Sequence, residues 1–269
     1  MKRVFLFGFM LLILIVVTVA FAQEKGVKRK RPLPYDYGKV VLNNFSEKNK
    51  IAPVVFDHWL HRAKFTCRLC HVDIGFGMKA GTTGVRAADN MDGLYCGTCH
   101  NGKMVVDEKK VFKACNKEMS MENLKTCDRC HSYGKDIKRE YNFAEFAAKL
   151  PKGRFGNGLN WEKAEKDGLI KLVNYIEGVS IKRKQMPIQK DFALEPKVSG
   201  LPEIIFSHQK HTVWNGCEVC HPEIFTGVKK GITKYSMIEI FQGKFCGGCH
   251  GTVWNGCEVC HPEIFTGVK

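Results

Sequence analysis

The longest apolar run in the chain covers positions 4–20, follows Lys2 and Arg3, and ends at Ala20-Phe21-Ala22 before Gln23. A basic start, an apolar centre and a small-x-small site are the marks of an export leader over residues 1–22. The run is shorter than the ~20 apolar residues needed to span a bilayer, so an uncleaved anchor is the weaker reading. Further on, the pattern becomes helical. Asp136 is placed to cap a helix to Leu150, with Ile137, Tyr141, Phe143, Phe146 and Ala147 on one face. Pro151 and glycines 153, 156 and 158 stop it, and a second short helix is predicted from Trp161 to Asp167, ended by Gly168. This aromatic content argues for a structured segment that packs on its neighbours rather than a flexible tether.

The pattern also repeats. Phe56-Asp57-His58-Trp59-Leu60-His61 stands 150 positions before Phe206-Ser207-His208-Gln209-Lys210-His211, and the offset holds without a gap through Cys67/Cys217, Cys70/Cys220, Cys96/Cys246, Cys99/Cys249 and His100/His250. Pro53-Val54-Val55 likewise has an apolar counterpart in Glu203-Ile204-Ile205. A fixed offset means duplicated structural units. The organisation expected is a leader (1–22), an N-terminal extension (23–52), a first module (53–131), a spacer (132–203) without cysteine or histidine, and a second module (204–269).

Each module carries one kind of chemistry. Cys-x-x-Cys-His occurs six times: at Cys67, Cys70 and His71; Cys96, Cys99 and His100; Cys127, Cys130 and His131; Cys217, Cys220 and His221; Cys246, Cys249 and His250; and Cys257, Cys260 and His261. A redox dithiol, a zinc half-site or a disulfide framework also uses Cys-x-x-Cys, but none requires histidine in the fifth place each time. Covalent haem does: two thiols form thioethers to one porphyrin, and the adjacent histidine supplies the proximal imidazole. The motifs predict about six haems c per chain, five on independent motifs and a sixth conditional on the tail described below. Roughly 41 residues of mature chain per motif cannot build a side-chain core alone, so the porphyrins must form much of it. The fold class expected is mostly irregular, with short α-helices, and dependent on haem.

The formal charge of +15 invites a nucleic-acid or anionic-membrane partner. Loss of Lys2 and Arg3 leaves +13, and six haems would add about twelve propionates, partly offset by ferric iron. The expectation is therefore no nucleic acid, no stable membrane anchor after leader removal, and redox proteins as partners.

Outside the motifs the histidines are His58, His61, His208 and His211. At i and i+3 on a helical turn, each pair points its imidazoles in similar directions, as distal ligands to two haems side by side. Four distal histidines cannot serve six irons. Methionine sulfur is the usual substitute, and the candidates are Met91 or Met78 in the first module and Met237 in the second, although they do not align across the repeat. Cys115 is an odd thiol without an assigned role.

The stretch from Phe56 through His71, the Tyr95-Cys96-Gly97-Thr98-Cys99-His100-Asn101-Gly102 segment and the later Cys127, Cys130 and His131 resemble the triheme cytochrome c7 domain, a relative of cytochrome c3. The second module resembles it from Phe206 to His221 and from Lys244 to His250. The resemblance implies compact three-haem units with mostly bis-histidine irons, the histidine pair serving two different haems. It also implies exported electron carriers of anaerobic, metal- or sulfur-respiring bacteria, periplasmic or secreted. Two readings from other classes stay open: a multihaem reductase of a small oxyanion or metal ion at a haem lacking a distal histidine, and a subunit of a conductive filament.

The tail departs from the family pattern. Residues 252–269 copy residues 212–229 identically, and six residues separate His250 from Cys257 against twenty-six between His100 and Cys127. An exact copy beside widely diverged modules is either very recent or a misjoined end. Sequencing reads that span codons 200–269 are expected to show the misjoin, and a clean duplicated read would establish the copy as genuine.

Overall fold

The computed structural model of the chain describes residues 32–116, 125–132, 142–154, 156–184, 187, 189–196, 200, 203–227, 229–250 and 260. The leader therefore lies outside the described residues, as do Cys257 and His261. Residues from Leu33 onward belong to one contact unit. Their structure is mostly irregular, with short helices and two-stranded sheets. Among the described residues no helix is long and apolar enough to cross a membrane.

β1 (Lys39–Leu42), in the N-terminal extension, pairs antiparallel with β2 (Val54–Asp57), which opens the first module, Lys39 lying opposite Asp57. β2 runs directly into α1 (His58–Arg62), so a strand end aims the first distal-type histidine. A single turn, α2 (Ala87–Met91), follows, closed at its start by the Asp89 carboxylate on the Arg86 amide (2.9 Å) and guanidinium (2.8 Å). β3 (Val105–Val106) and β4 (Lys109–Lys110) form a small hairpin.

The spacer is folded where it is described. α3 (Phe143–Ala148) starts at Asn142, whose backbone is extended and whose side chain accepts from the Ala144 amide. That cap shortens the helix expected from Asp136: the helix that reaches Lys149 begins at Phe143, because a capping residue takes non-helical angles. Residues 133–141 lie outside the described set. α4 (Trp161–Lys166) agrees with the predicted second helix, with Asn160 accepting from the Lys163 amide and Gly168 at φ +70° just beyond it.

The second module repeats the opening of the first. β5 (Phe192–Leu194), at the end of the spacer, pairs with β6 (Ile204–Phe206), Phe192 opposite Phe206, and β6 leads into α5 (His208–Asn215). α6 (Met237–Phe241) stands 150 positions after α2 and starts with a Ser236/Glu239 capping box.

The chief apolar core lies between the spacer and the back of α1. Trp59, Ala147, Leu150, Leu159, Trp161, Ala164 and Ile170 are buried together, with Phe143 and Phe146 against them. Trp161 is only 1% exposed and donates its indole N–H to Asn157 Oδ1 (3.2 Å). Arg62, also on α1, lays its guanidinium over Trp161 (4.2 Å) and Trp214 of α5 (5.4 Å). Burial pushes its pKa down to about 9, which leaves it charged at neutral pH. α5 has no buried residue and meets α4 through polar contacts: Lys210 pairs with Glu162 (2.8 Å), and the Trp214 indole donates to Glu165.

Trp161→Ala is expected to cost about 3–5 kcal/mol, the usual loss for a large aromatic removed from a packed core. Thermal unfolding of the holoprotein followed by far-UV circular dichroism measures it. A melting temperature within a degree of wild type would show that this core does not support the fold.

Candidate haem-ligating centres

The first attachment loop bends around Leu69, which is fully buried and opens the five-residue turn Leu69–Asp73 that carries His71. Its counterpart Val219 is buried in the fourth motif, so the same internal position anchors both loops. The second and fifth motifs sit on the one-turn helices Tyr95–Thr98 and Phe245–Gly248. In each, a Cβ on the glycine after the first cysteine would run into a backbone carbonyl, that of Asn90 for Gly97 and that of Ile240 for Gly247. Only glycine lets α2 and α6 press on these loops. The third motif is stitched to the first module: the Val55 amide donates to the Cys130 carbonyl (2.9 Å).

Seven histidines share one arrangement, a ring Nδ1 at a backbone carbonyl. His58 reaches Gly38 (2.6 Å), His61 Asp57 (3.1 Å), His71 Phe76 (2.9 Å), His131 Ala52 (2.6 Å), His208 Lys190 (3.0 Å), His211 Ser207 (2.8 Å) and His221 Phe225 (2.8 Å). A carbonyl only accepts, so Nδ1 carries the proton and Nε2 keeps its lone pair. Metal-binding imidazoles are held in this way. Burial pushes His58 and His61 down to about 4, partly opposed by their carbonyl partners. His71, His100 and His211 are lowered by the same cause, so all five rings are neutral at neutral pH.

The rings then meet in pairs. His58 faces His71 with centroids 6.5 Å apart and planes 7° from parallel. His61 stands 6.2 Å from His100, and His211 stands 6.0 Å from His250. Two imidazoles on opposite sides of one metal ion have centroids about 6 Å apart, since each metal–nitrogen bond is about 2 Å and each ring centre lies ~1 Å beyond its nitrogen. The spacing in all three pairs matches that arrangement. Phe56 orders the first two pairs, stacking on His61 (4.3 Å) and meeting His58 edge-on (4.9 Å); Phe206 repeats both contacts on His211 and His208.

The repeat is incomplete. Among the described residues no imidazole contacts the ring of His131 or His221, and His208 packs instead on Phe192 and Phe206. Met91 closes α2 half-buried, Met78 is half-buried, and Met237 opens α6 with 41% exposure.

The thiols fit the same group. Burial, reinforced by neighbouring thiols, pushes Cys70 and Cys249 up to about 12 and Cys130 and Cys220 to about 11; Cys96 rises to about 12. Such thiols stay protonated at neutral pH and are poor ligands for a free metal ion. Cys115 lies near Cys96 and Cys130, within 3.7 Å of the Asn90 amide nitrogen. Sequence reasoning missed the carbonyl partners, and nothing in the spacing pointed to Gly38 or Lys190, which lie 20 and 18 residues before their histidines.

Paired imidazoles beside paired thiols on short irregular segments define a multihaem c-type cytochrome. Residues 54–132 and 204–262, just over half of the chain, match the family described as cytochrome c7 and related cytochrome c, and the chain belongs to that family. Its cofactor is haem c, and cytochromes of this kind carry electrons from haem to haem and on to redox partners. Among solved structures, the chain is similar to the N-terminal hexaheme fragment of GSU1996 (23% identity, 84% of this chain and 99% of that chain, TM-score 0.25). It is also similar to the C-terminal hexaheme fragment (21%, 83% and 96%, TM-score 0.25) and to the dodecaheme cytochrome c GSU1996 (22%, 84% and 74%, TM-score 0.23). A search of curated proteins found no match.

His58→Ala is expected to leave haem attachment intact and turn one haem per molecule high-spin, read by EPR and the visible spectrum. His71→Ala, which removes a proximal ligand, is expected to lower the yield of holoprotein. Unchanged low-spin spectra in His58→Ala would refute the pairing.

Proposed function

We propose that this chain is an exported carrier of single electrons in anaerobic respiration, with five or six covalently attached haems. The observation that carries the reading is the pairing of imidazoles, His58 with His71, His61 with His100 and His211 with His250, at a spacing that would suit a haem iron between them. A metal held between two imidazoles has no open position for a substrate. A bound haem c supplies a one-electron couple whose potential follows its ligands, its burial and nearby charge. The chain's own part is to fix that setting. Nδ1 bonds to carbonyls hold each ring's tautomer and tilt, burial keeps water from the ligands, and the cysteine pairs anchor each site.

In this reading His71, His100, His131, His221, His250 and His261 are proximal ligands, and His58, His61, His208 and His211 are distal. Export rests on the leader-like start of the chain and on the fact that such thioethers are made outside the cytoplasm. A place among periplasmic or secreted carriers of anaerobic respiration is what the resemblance to the cytochrome c7 domain implies. Other cytochromes and periplasmic or membrane oxidoreductases are the partners that fit, and many lysines serve to screen propionates.

A reductase is the second reading, and one observation favours it: His131 and His221 have no imidazole opposite them among the described residues. It would also need acid–base groups over an open iron.

Intact-mass spectrometry is expected to show the mature chain from Gln23 plus five or six haem masses. Nearly all iron should be six-coordinate and low-spin, with little carbon monoxide binding and negligible turnover of nitrite or sulfite. Stoichiometric carbon monoxide binding at one haem per module, together with saturable nitrite or sulfite reduction, would replace the carrier by the reductase.

A further inference from the structure

The haem-free spacer does more than join two modules. Its residues 172–174 run beside the chain that enters the first motif: the Val173 amide donates to the Lys64 carbonyl (2.8 Å), and the Thr66 amide returns a bond to the Val173 carbonyl (3.1 Å). Arg68, between the two cysteines of that motif, donates to the Asn174 carbonyl (2.6 Å). The spacer then crosses to the other module. Arg183 pairs through Nη2 with Asp73, two residues past His71, at 2.7 Å, and through Nε with Glu218, between the two cysteines of the fourth motif, at 2.5 Å. The Asp73 side chain is fully buried, and this guanidinium is the charge that faces it across the seam.

The two attachment loops also touch directly. A Cβ on Gly216, the residue before Cys217, would meet Cδ of Arg68 at 2.6 Å. Arg68 and Glu218 occupy the same position of the repeat, one cationic and one anionic, and Arg68 helps to keep the Glu218 carboxylate ionised. Duplicated surfaces that face each other would repel if they had kept one sign, and opposite signs at equivalent positions remove that repulsion. At the other end of the spacer, α4 touches both distal-type helices, through Trp161 under Arg62 of α1 and Glu162 on Lys210 of α5.

We propose that the spacer is a coupling clamp that holds the first attachment loop against the fourth, so that electrons cross between the modules at the haems on Cys67/Cys70 and Cys217/Cys220, with Arg183 as the positioning residue. This rests on the relay reading above. The step is a single electron given up by the reduced site and taken by the oxidised one, with no bond made and no proton moved.

The test uses full-length holoprotein: wild type, Arg183→Ala, Arg183→Lys and Val173→Pro, the last removing the amide that clips the spacer to Lys64. Haem count and low-spin spectra are recorded first. Redox titration is then followed by NMR on assigned haem-methyl signals, which resolves each haem. In wild type, the midpoint of the first-motif haem is expected to depend on the oxidation state of the fourth-motif haem. Arg183→Ala and Val173→Pro should lose that cross-dependence and keep the dependence within each module, and Arg183→Lys should restore it. Cross-dependence retained in both Arg183→Ala and Val173→Pro would overturn the clamp. If Arg183→Ala fails to assemble, Val173→Pro decides alone. High-spin wild-type haems that bind and turn over substrate would defeat the relay reading instead, a result read from the spectra rather than from the cross-dependence.

Discussion

A helix of five residues does not persist in water, because so few hydrogen bonds cannot repay its nucleation. α1 is such a helix, and it carries both His58 and His61. It is held because Trp59 and Arg62 pack into the spacer, Trp59 against Phe143 and Phe146 and Arg62 over Trp161. The main apolar core among the described residues is therefore built behind a pair of histidines proposed as haem ligands. That position makes sense of a haem-free segment rich in tryptophan and phenylalanine in a chain whose other parts are organised by cofactor. The modules alone have too few residues per haem to fix their own ligand helices.

Much of the site could be read from the sequence and less of the scaffold could. The attachment motifs and the Phe-x-His-x-x-His repeat are local patterns whose spacing follows from covalent reach and helical pitch, and each histidine pair stands at the start of a helix, as expected. The short strand β1 and its counterpart β5 gave no comparable signal, since four or three residues carry no usable period, and they earn their place by pairing with β2 and β6. The expected helix from Asp136 is an instructive difference. Asn142 takes extended angles and caps the helix that starts at Phe143, and residues 137–141 of the expected helix lie outside the described set. The Arg183 contacts to Asp73 and Glu218 join residues too distant in sequence for any pattern to announce.

The duplication shows which contacts a haem loop must keep. Backbone contacts recur at the offset of 150: Gly97 and Gly247 beneath a carbonyl, His61 and His211 on the carbonyl four residues earlier, and a phenylalanine stacked on each of those rings. Side chains that face away from the ligands have drifted. Trp59 is matched by Gln209 and Leu60 by Lys210, so the backs of the two ligand helices no longer resemble one another.

That drift gives the two halves different physics. α1 is held by buried indoles, whose association is strengthened by salting-out ions. α5 buries no residue and leans on Lys210–Glu162 and Trp214–Glu165, contacts that mobile ions screen within about 10 Å at 0.1 M. A rise in ionic strength therefore weakens the polar grip on α5 more than the apolar grip on α1. An organism that moves this protein between dilute and saline surroundings would change the grip on one half of its redox chain without touching a single ligand.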